Sequence, residues 1–379
     1  MGLILKGGRI IDPASGTDAV LDIGFEDGRV AAIAPSLASE DAMIKDVSGK
    51  IVTPGLVDMH THVYWGGTSL SIDAEDFCRK SAVTTCVDTG SAGPGNFAGF
   101  RKHVIEESLV RIVPYLHVSF AGIFGFSKTI MVGESEDIRL MAPRDAVRVV
   151  QENRDIIAGI KVRLGRHASG IHGMTPMTYA LQVAEEVDLP MMVHIDEPPP
   201  SYEAVLEVMR PGDVLTHAFR PFPNSPINRV GEVKDEVLAA RERGVLFDIG
   251  HGMGSFGFET AKAMLDNGFM PDTISSDIHE LCIDGPAYDQ VTTLSKFLCL
   301  GMDLNDVIAA STVNAGKALQ MPELGVLEVG GIGDASILSI EEDEFPYEDV
   351  LGEILVGDKR IAAKGAVVNG EWWDCDESD

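Results

Sequence analysis

Between residues 56 and 322 the chain alternates short apolar runs with stretches of helical character, and this alternation narrows the possible folds more than any other feature. The runs are "GLVDMHTH", "TTCVDTGS" (84–91), "RIVPYLHVSFAGI" (111–123), "IAGIKVRLG" (157–165), "LPMMVHIDE" (189–197), "DVLTHAF" (213–219), "GVLFDIGHG" (244–252) and "PDTISSDIH" (271–279). Near-continuous apolar runs of this length suit parallel strands covered on both faces. Between them lie segments such as "PMTYALQVAEEVD" and "NRVGEVKDEVLAARERG", the second closed by Gly244 as a helix stop. Eight strands, each followed by room for a helix, predict an α/β fold, a (β/α)8 TIM barrel, whose usual length is about 250 residues.

The two ends have a different texture. "LILKGGRIID" and "AVLDIGFEDGRVAAIAPS" read as strands, the latter folded at Asp27-Gly28, a favoured hairpin turn. "GVLEVGGIGDASILSI" and "RIAAKGAVVNGEWW" are again strand-like and glycine-rich. Residues 1–55 and 323–379 are therefore expected to form one small discontinuous β domain, a β-sandwich, beside a barrel domain at 56–322. "SYEAVLEVM" reads as a core-facing helix, and "EEDEFPYEDV" as a solvated charge run.

Six side chains fall near the C-terminal ends of the predicted strands: His60, His62, Lys161, His194, His217 and Asp277. Barrel enzymes build their sites at those ends. His60 and His62, two residues apart on a strand, point to one side. Singly, each residue has an ordinary structural explanation: a hydrogen-bonded histidine, a lysine paired with a buried acid, an aspartate capping a helix. Six on one rim point to metal.

These residues carry a resemblance. "IVTPGLVDMH", the lysine of "GIKVR", the later single histidines and "SSDIH" look like the amidohydrolase superfamily, in its dihydroorotase-like branch, and most resemble bacterial amidohydrolase/deacetylase metallohydrolases. The resemblance covers essentially the whole chain. It implies that His60, His62 and Asp277 hold one divalent metal and His194 and His217 a second. Lys161, carboxylated by carbon dioxide, would bridge them. Burial lowers a lysine pKa towards the neutral amine that carbamate formation needs. Such ligands suit Zn2+, with manganese, iron and cobalt left open. The implied reaction is attack by a metal-bridged hydroxide, with Asp277 as general base and then acid.

Other residues bear on the substrate. Dihydroorotases place an arginine just after the HxH, whereas this chain has Tyr64 there. Arg163, two residues beyond Lys161, is the expected clamp for a carboxylate. His251 and His279, at the ends of the last two strands, are expected to touch substrate, as is Tyr64. Gly90, Gly93 and Gly95 form a flexible loop without the GKS/T of a phosphate cradle. His172 reads as an ordinary exposed residue, and His103, His117 and His167 carry no functional signal.

The expected function is hydrolysis of an acyl ester or amide, deacetylase-like, on a small carboxylate-bearing molecule. The alternatives are a cyclic-amide hydrolase of the dihydroorotase or hydantoinase kind and a non-catalytic scaffold. A net charge of −29 speaks against nucleic acid and anionic membrane as partners. With 45% hydrophobic and 23% charged residues the composition is that of a globular protein. Five scattered cysteines without a CxxC, no signal segment and no long apolar run give a cytoplasmic expectation. A homo-oligomer is expected.

Overall fold

The computed structural model describes residues 1–375; positions 376–379 of the expected small β domain lie outside the described residues. The strands, in chain order, are β1 (Leu3–Asp12), β2 (Thr17–Glu26), β3 (Arg29–Ala34), β4 (Met43–Asp46), β5 (Ile51–Pro54), β6 (Leu56–Thr61), β7 (Val83–Thr89), β8 (Arg111–His117), β9 (Gly159–Leu164), β10 (Met191–Ile195), β11 (Val214–Thr216), β12 (Leu246–Phe247), β13 (Ala335–Glu348), β14 (Ile354–Val368) and β15 (Glu371–Trp373).

Strands from both ends of the chain share one sheet, in the order β15-β14-β13-β5-β1-β2-β3, with β4 also paired to β1. Its buried side is made by Leu3, Leu5, Ile23, Phe25, Val52, Ile337 and Val367 among others. Asp27 and Gly28 join β2 to β3 with φ of 49° and 73°. Positive φ at both central residues is what a type I′ hairpin turn requires, and Asp-Gly supplies it at little cost.

The remaining seven strands, β6 to β12, form a second sheet in sequence order, each pair parallel. The eighth predicted strand, 271–279, is not a continuous ladder strand. It is nonetheless extended between the two edges. Asp248 bridges Thr273 and Thr61 bridges Ile278, both in parallel. The Ile249 and His251 amides donate to the Thr273 and Ser275 carbonyls at 3.1 Å, and His62 N donates to Ile278 O at 3.0 Å. Segment 273–278 thus links β12 to β6.

Helices follow the strands with recognisable caps. Ala74–Ser81 begins at Asp73, whose carboxylate accepts from the amides of Glu75 and Asp76, and ends at Ala82 in the left-handed region. Thr175–Val187 and Tyr202–Val208 lie where helices were expected. The segment 228–244 is shorter than predicted. Its helix is Asp235–Glu242, because Asn228 accepts from the Val230 and Glu232 amides and holds a turn there. Gly244, at φ 94°, closes it. The acidic run 341–348 belongs to β13, its carboxylates lying on the open part of that strand. Among the described residues no helix is long and apolar enough to cross a membrane.

An apolar cluster of Val57, Met59, Val87, Val113, Tyr115, Met192 and Val214 fills the space among the parallel strands. It leaves their C-terminal ends to polar side chains.

Candidate metal centre

Nε2 of His60 and Nε2 of His62 each stand 3.2 Å from Asp277 Oδ1. One ligand atom from each of these three buried residues lies within 4.8 Å of the others, a grouping able to hold a metal ion. Asp277 reaches this point through a backbone φ of 49°, in a region that non-glycine residues enter rarely. Gly252 packs against Asp277 Oδ2 so closely that a Cβ there would overlap it.

The imidazoles are oriented from behind. Thr216 Oγ1 donates to Asp248 Oδ2 at 2.8 Å, so at 2.8 Å from His60 Nδ1 it accepts the ring proton. The Nε2 lone pair of His60 is then free towards Asp277. Asp248 also accepts from the Thr273 and Ser275 hydroxyls at 2.7 and 2.8 Å; these three donors favour its charged form, but burial outweighs them and raises its pKa to about 6. His62 Nδ1 lies 2.9 Å from Ser91 Oγ. His217, itself at φ 65°, donates from Nδ1 to Gly250 O at 2.7 Å. Partners of this kind on the far ring nitrogen fix tautomer and direction in metal-ligating histidines.

His194 packs edge-on against His217, ring centroids 4.4 Å apart. Its Nε2 is buried with no hydrogen-bond partner, and Asp196 Oδ2 at 3.7 Å is beyond hydrogen-bond range. A buried, orphaned imidazole nitrogen beside four other inward-facing ligand candidates fits a metal. Lys161, fully buried on β9, places Nζ 3.4 Å from His60 Nε2. Burial pushes its pKa down to about 7, so a neutral amine is accessible. Gly90, at φ 86°, leaves room for its stem; a Cβ there would meet Lys161 Cγ at 2.7 Å.

Burial, followed by the neighbouring Lys161, also holds the His60 and His62 pKa values well below the ordinary one, and burial does the same to His194 and His217. Neutral imidazoles are the form that binds metal. Burial raises Asp277 to about 6.

The cluster opens into a cavity of about 320 Å³. Leu70, Ile123, Phe126, Met131 and Met253 give it an apolar wall, and Arg163, Arg220, Asp196 and His279 line it with polar groups. Arg163 Nη1 donates to Glu134 Oε2 at 3.0 Å, and its guanidinium lies over the Phe126 ring at 4.9 Å. Glu134 Oε1 accepts from His117 Nε2 at 3.1 Å, because His117 Nδ1 already accepts the Ser119 amide. Burial pushes the Glu134 carboxyl up, but Arg163 and His117 outweigh it and hold it below its ordinary range.

Two expectations are corrected. His251 does not face the cavity. Gly250 and Gly252, at φ 48° and 53°, turn the chain on either side of it. The ring therefore stacks on Phe256 at 4.7 Å and takes Lys296 Nζ at 2.7 Å. Tyr64 lies past the end of β6, stacked on Phe100 at 4.6 Å with its hydroxyl donating to Asn96 O at 3.2 Å. It lines a separate surface cavity with Trp65. His279 and Arg163 do line the main cavity. Sequence reasoning passed over Glu134, Arg220, Asp248 and the buried His117. The "HAFR" run, an arginine three residues after a candidate ligand, was the one available signal.

The model of the Amidohydrolase family matches residues 51–372. A deacetylase of Agrobacterium fabrum is 34% identical over 91% of this chain and 84% of its own length. A solved structure described as a dihydroorotase superposes with a TM-score of 0.91 at 31% identity, covering 98% of this chain and 97% of that one. Another, described as an adenine deaminase, gives 0.90 at 28% identity over 98% and 99%.

Proposed function

This chain belongs to the amidohydrolase family, and on that premise we propose that it is a binuclear-metal hydrolase removing an acyl group, deacetylase-like, from a small carboxylate-bearing ester or amide. The observation that carries the reading is the orphaned Nε2 of His194, set beside His217 and near the His60/His62/Asp277 group. Five ligand candidates and one lysine are more than a single cation needs.

In this reading segment 273–278 closes β6 to β12 into a (β/α)8 barrel, the hydrolase domain is 56–322, and the terminal strands form a small β-sandwich domain. His60, His62 and Asp277 would hold one cation and His194 and His217 the other, and Lys161, once carboxylated at Nζ, would supply a further ligand to the pair. Zn2+ is the metal favoured by this nitrogen and oxygen donor set. Divalent cations held by these residues would supply Lewis acidity to water and to the scissile carbonyl at neutral pH.

The chain's own groups do the rest. Asp277, seated between two neutral imidazoles, takes the proton of the attacking water and returns it to the leaving oxygen or nitrogen. The apolar wall of Leu70, Ile123, Phe126 and Met131 excludes water from the acyl group. The wall bearing Arg163 and Arg220 suits an anionic end. The protein is proposed to act in the cytoplasm as a homo-oligomer.

A second reading, cyclic-amide hydrolysis, has the likeness to the dihydroorotase structure in its favour. Tyr64, where dihydroorotases carry a substrate arginine, speaks against it. The test is a panel of N-acetyl amino acids, acetylated 2-hydroxy acids and cyclic ureides offered to zinc-loaded protein. Turnover in the first two groups supports deacylation; turnover confined to ureides replaces it with ring opening.

A further inference from the structure

Arg220 is one-twentieth exposed and lines the main cavity. Among the described residues its guanidinium makes one hydrogen bond, from Nη1 to Ile195 O at 2.8 Å. Its Nε is buried with no partner. Among the described residues no carboxylate forms an ion pair with it. Asp196 and Glu197 act on it only from a distance, and Asp196 is engaged by the His167 and Ala168 amides at 3.2 and 3.1 Å.

Arg163 is in the opposite condition. Its charge is matched by Glu134 at 3.0 Å, Glu134 is held by His117, and Phe126 covers the guanidinium face. A buried cation is ordinarily paired, and leaving one unpaired is costly. Of the two arginines, Arg220 is the one whose charge and donors are unspent.

We infer that Arg220 is the anion-binding residue of the cavity, receiving the substrate carboxylate, while Arg163 is a positioning residue that fixes Glu134 and the Phe126 wall. The inference rests on the proposed anionic substrate. It also gives the substrate a direction. Arg220 is bonded to the residue after His194 and lies three residues beyond His217. The carboxylate therefore sits on the His194/His217 side, and the acyl group points to the apolar wall.

The test is a pair of probes that carry CH2 in place of the scissile N–H of N-acetylalanine, 2-methyl-4-oxopentanoic acid and its methyl ester, whose affinities for metal-loaded protein are measured by calorimetry. Wild type is expected to favour the acid. In R220M that acid-over-ester ratio should collapse by on the order of 10-fold or more, the scale of losing one partner of a desolvated charge pair. R220K, which keeps the charge but not the planar fork, should recover part of it. R163M should weaken both probes together. A wild type without acid preference overturns the anionic-substrate reading and this inference with it. A preference that survives in R220M overturns the role of Arg220 alone, as does an equal loss on both probes.

Discussion

Lys161 Nζ and His60 Nε2 face each other at 3.4 Å, both buried, across the ends of two non-adjacent strands, β9 and β6. Burial pushes the Lys161 pKa down to about 7, so the neutral amine is accessible beside imidazoles that burial also keeps neutral. The lysine is placed to act as a neutral amine and, once carboxylated, as a ligand. Lys161→Ala should lose bound metal and most turnover, and added short-chain carboxylic acids should restore part of both. Turnover near wild type in the alanine variant would remove the bridge from the account.

Asp277→Asn separates metal binding from proton transfer. The other ligand candidates remain, so the variant should retain much of its metal while turnover falls by about 10²–10⁴-fold, the usual weight of general acid–base catalysis. Near-normal turnover in a fully loaded variant would assign the proton to another group.

Asp248 never touches the cavity, yet it sets the His60 tautomer through Thr216. In Asp248→Asn the amide NH2 competes for the Thr216 hydroxyl oxygen, and the acceptor that holds His60 is disturbed. Metal affinity should fall by about 10–100-fold, the range seen when such outer partners are lost. A chelator-competition titration measures it, and an unchanged affinity would show that Thr216 suffices alone.

These residues also show where the sequence was legible. His60, His62, His194, His217 and Asp277 stand out in the sequence because each sits at or near the end of an apolar run, and Lys161 because it is a lone cation inside one; the structure groups the HxH with Asp277. The parallel strands were readable for the same reason. The second layer was not. Glu134 lies in the irregular segment between β8 and β9, where no period predicts direction, and reaches the site by pairing with Arg163. His251 faces away from the cavity because period two fails between two glycines of positive φ. The turn at 228–234 was read as helix because its polar residues compete with a helix only through side-chain bonds, which no periodicity reveals.

The metal-free protein should be acid-labile above the ordinary acid range. Burial lowers the pKa of His60, His62, His117, His194, His217, His251 and His279. Unfolded, they bind protons near 6.5. Below that pH the unfolded chain holds more protons than the folded one, so stability falls as pH drops. Asp58, raised to about 7, and Asp88, Asp248 and Asp277, raised to about 6, contribute in the opposite sense between their unfolded values and those pH values. Burial raises Asp196 and Asp289 as well, and the seven histidines still outnumber these six carboxyls. Thermal melts of chelator-treated protein should give a lower Tm at pH 5 than at pH 7.5. A higher Tm at pH 5 would mean the carboxyls dominate.

The central claim is a two-metal centre bridged by a modified lysine. Anomalous diffraction from crystals of active, zinc-loaded protein tests it most directly. The account predicts two metal peaks, one among His60, His62 and Asp277 and one at His194 and His217, with density extending from Lys161 Nζ as a carboxylate between them. A single peak beside an unmodified Lys161, in crystals whose dissolved protein is fully active, would contradict it.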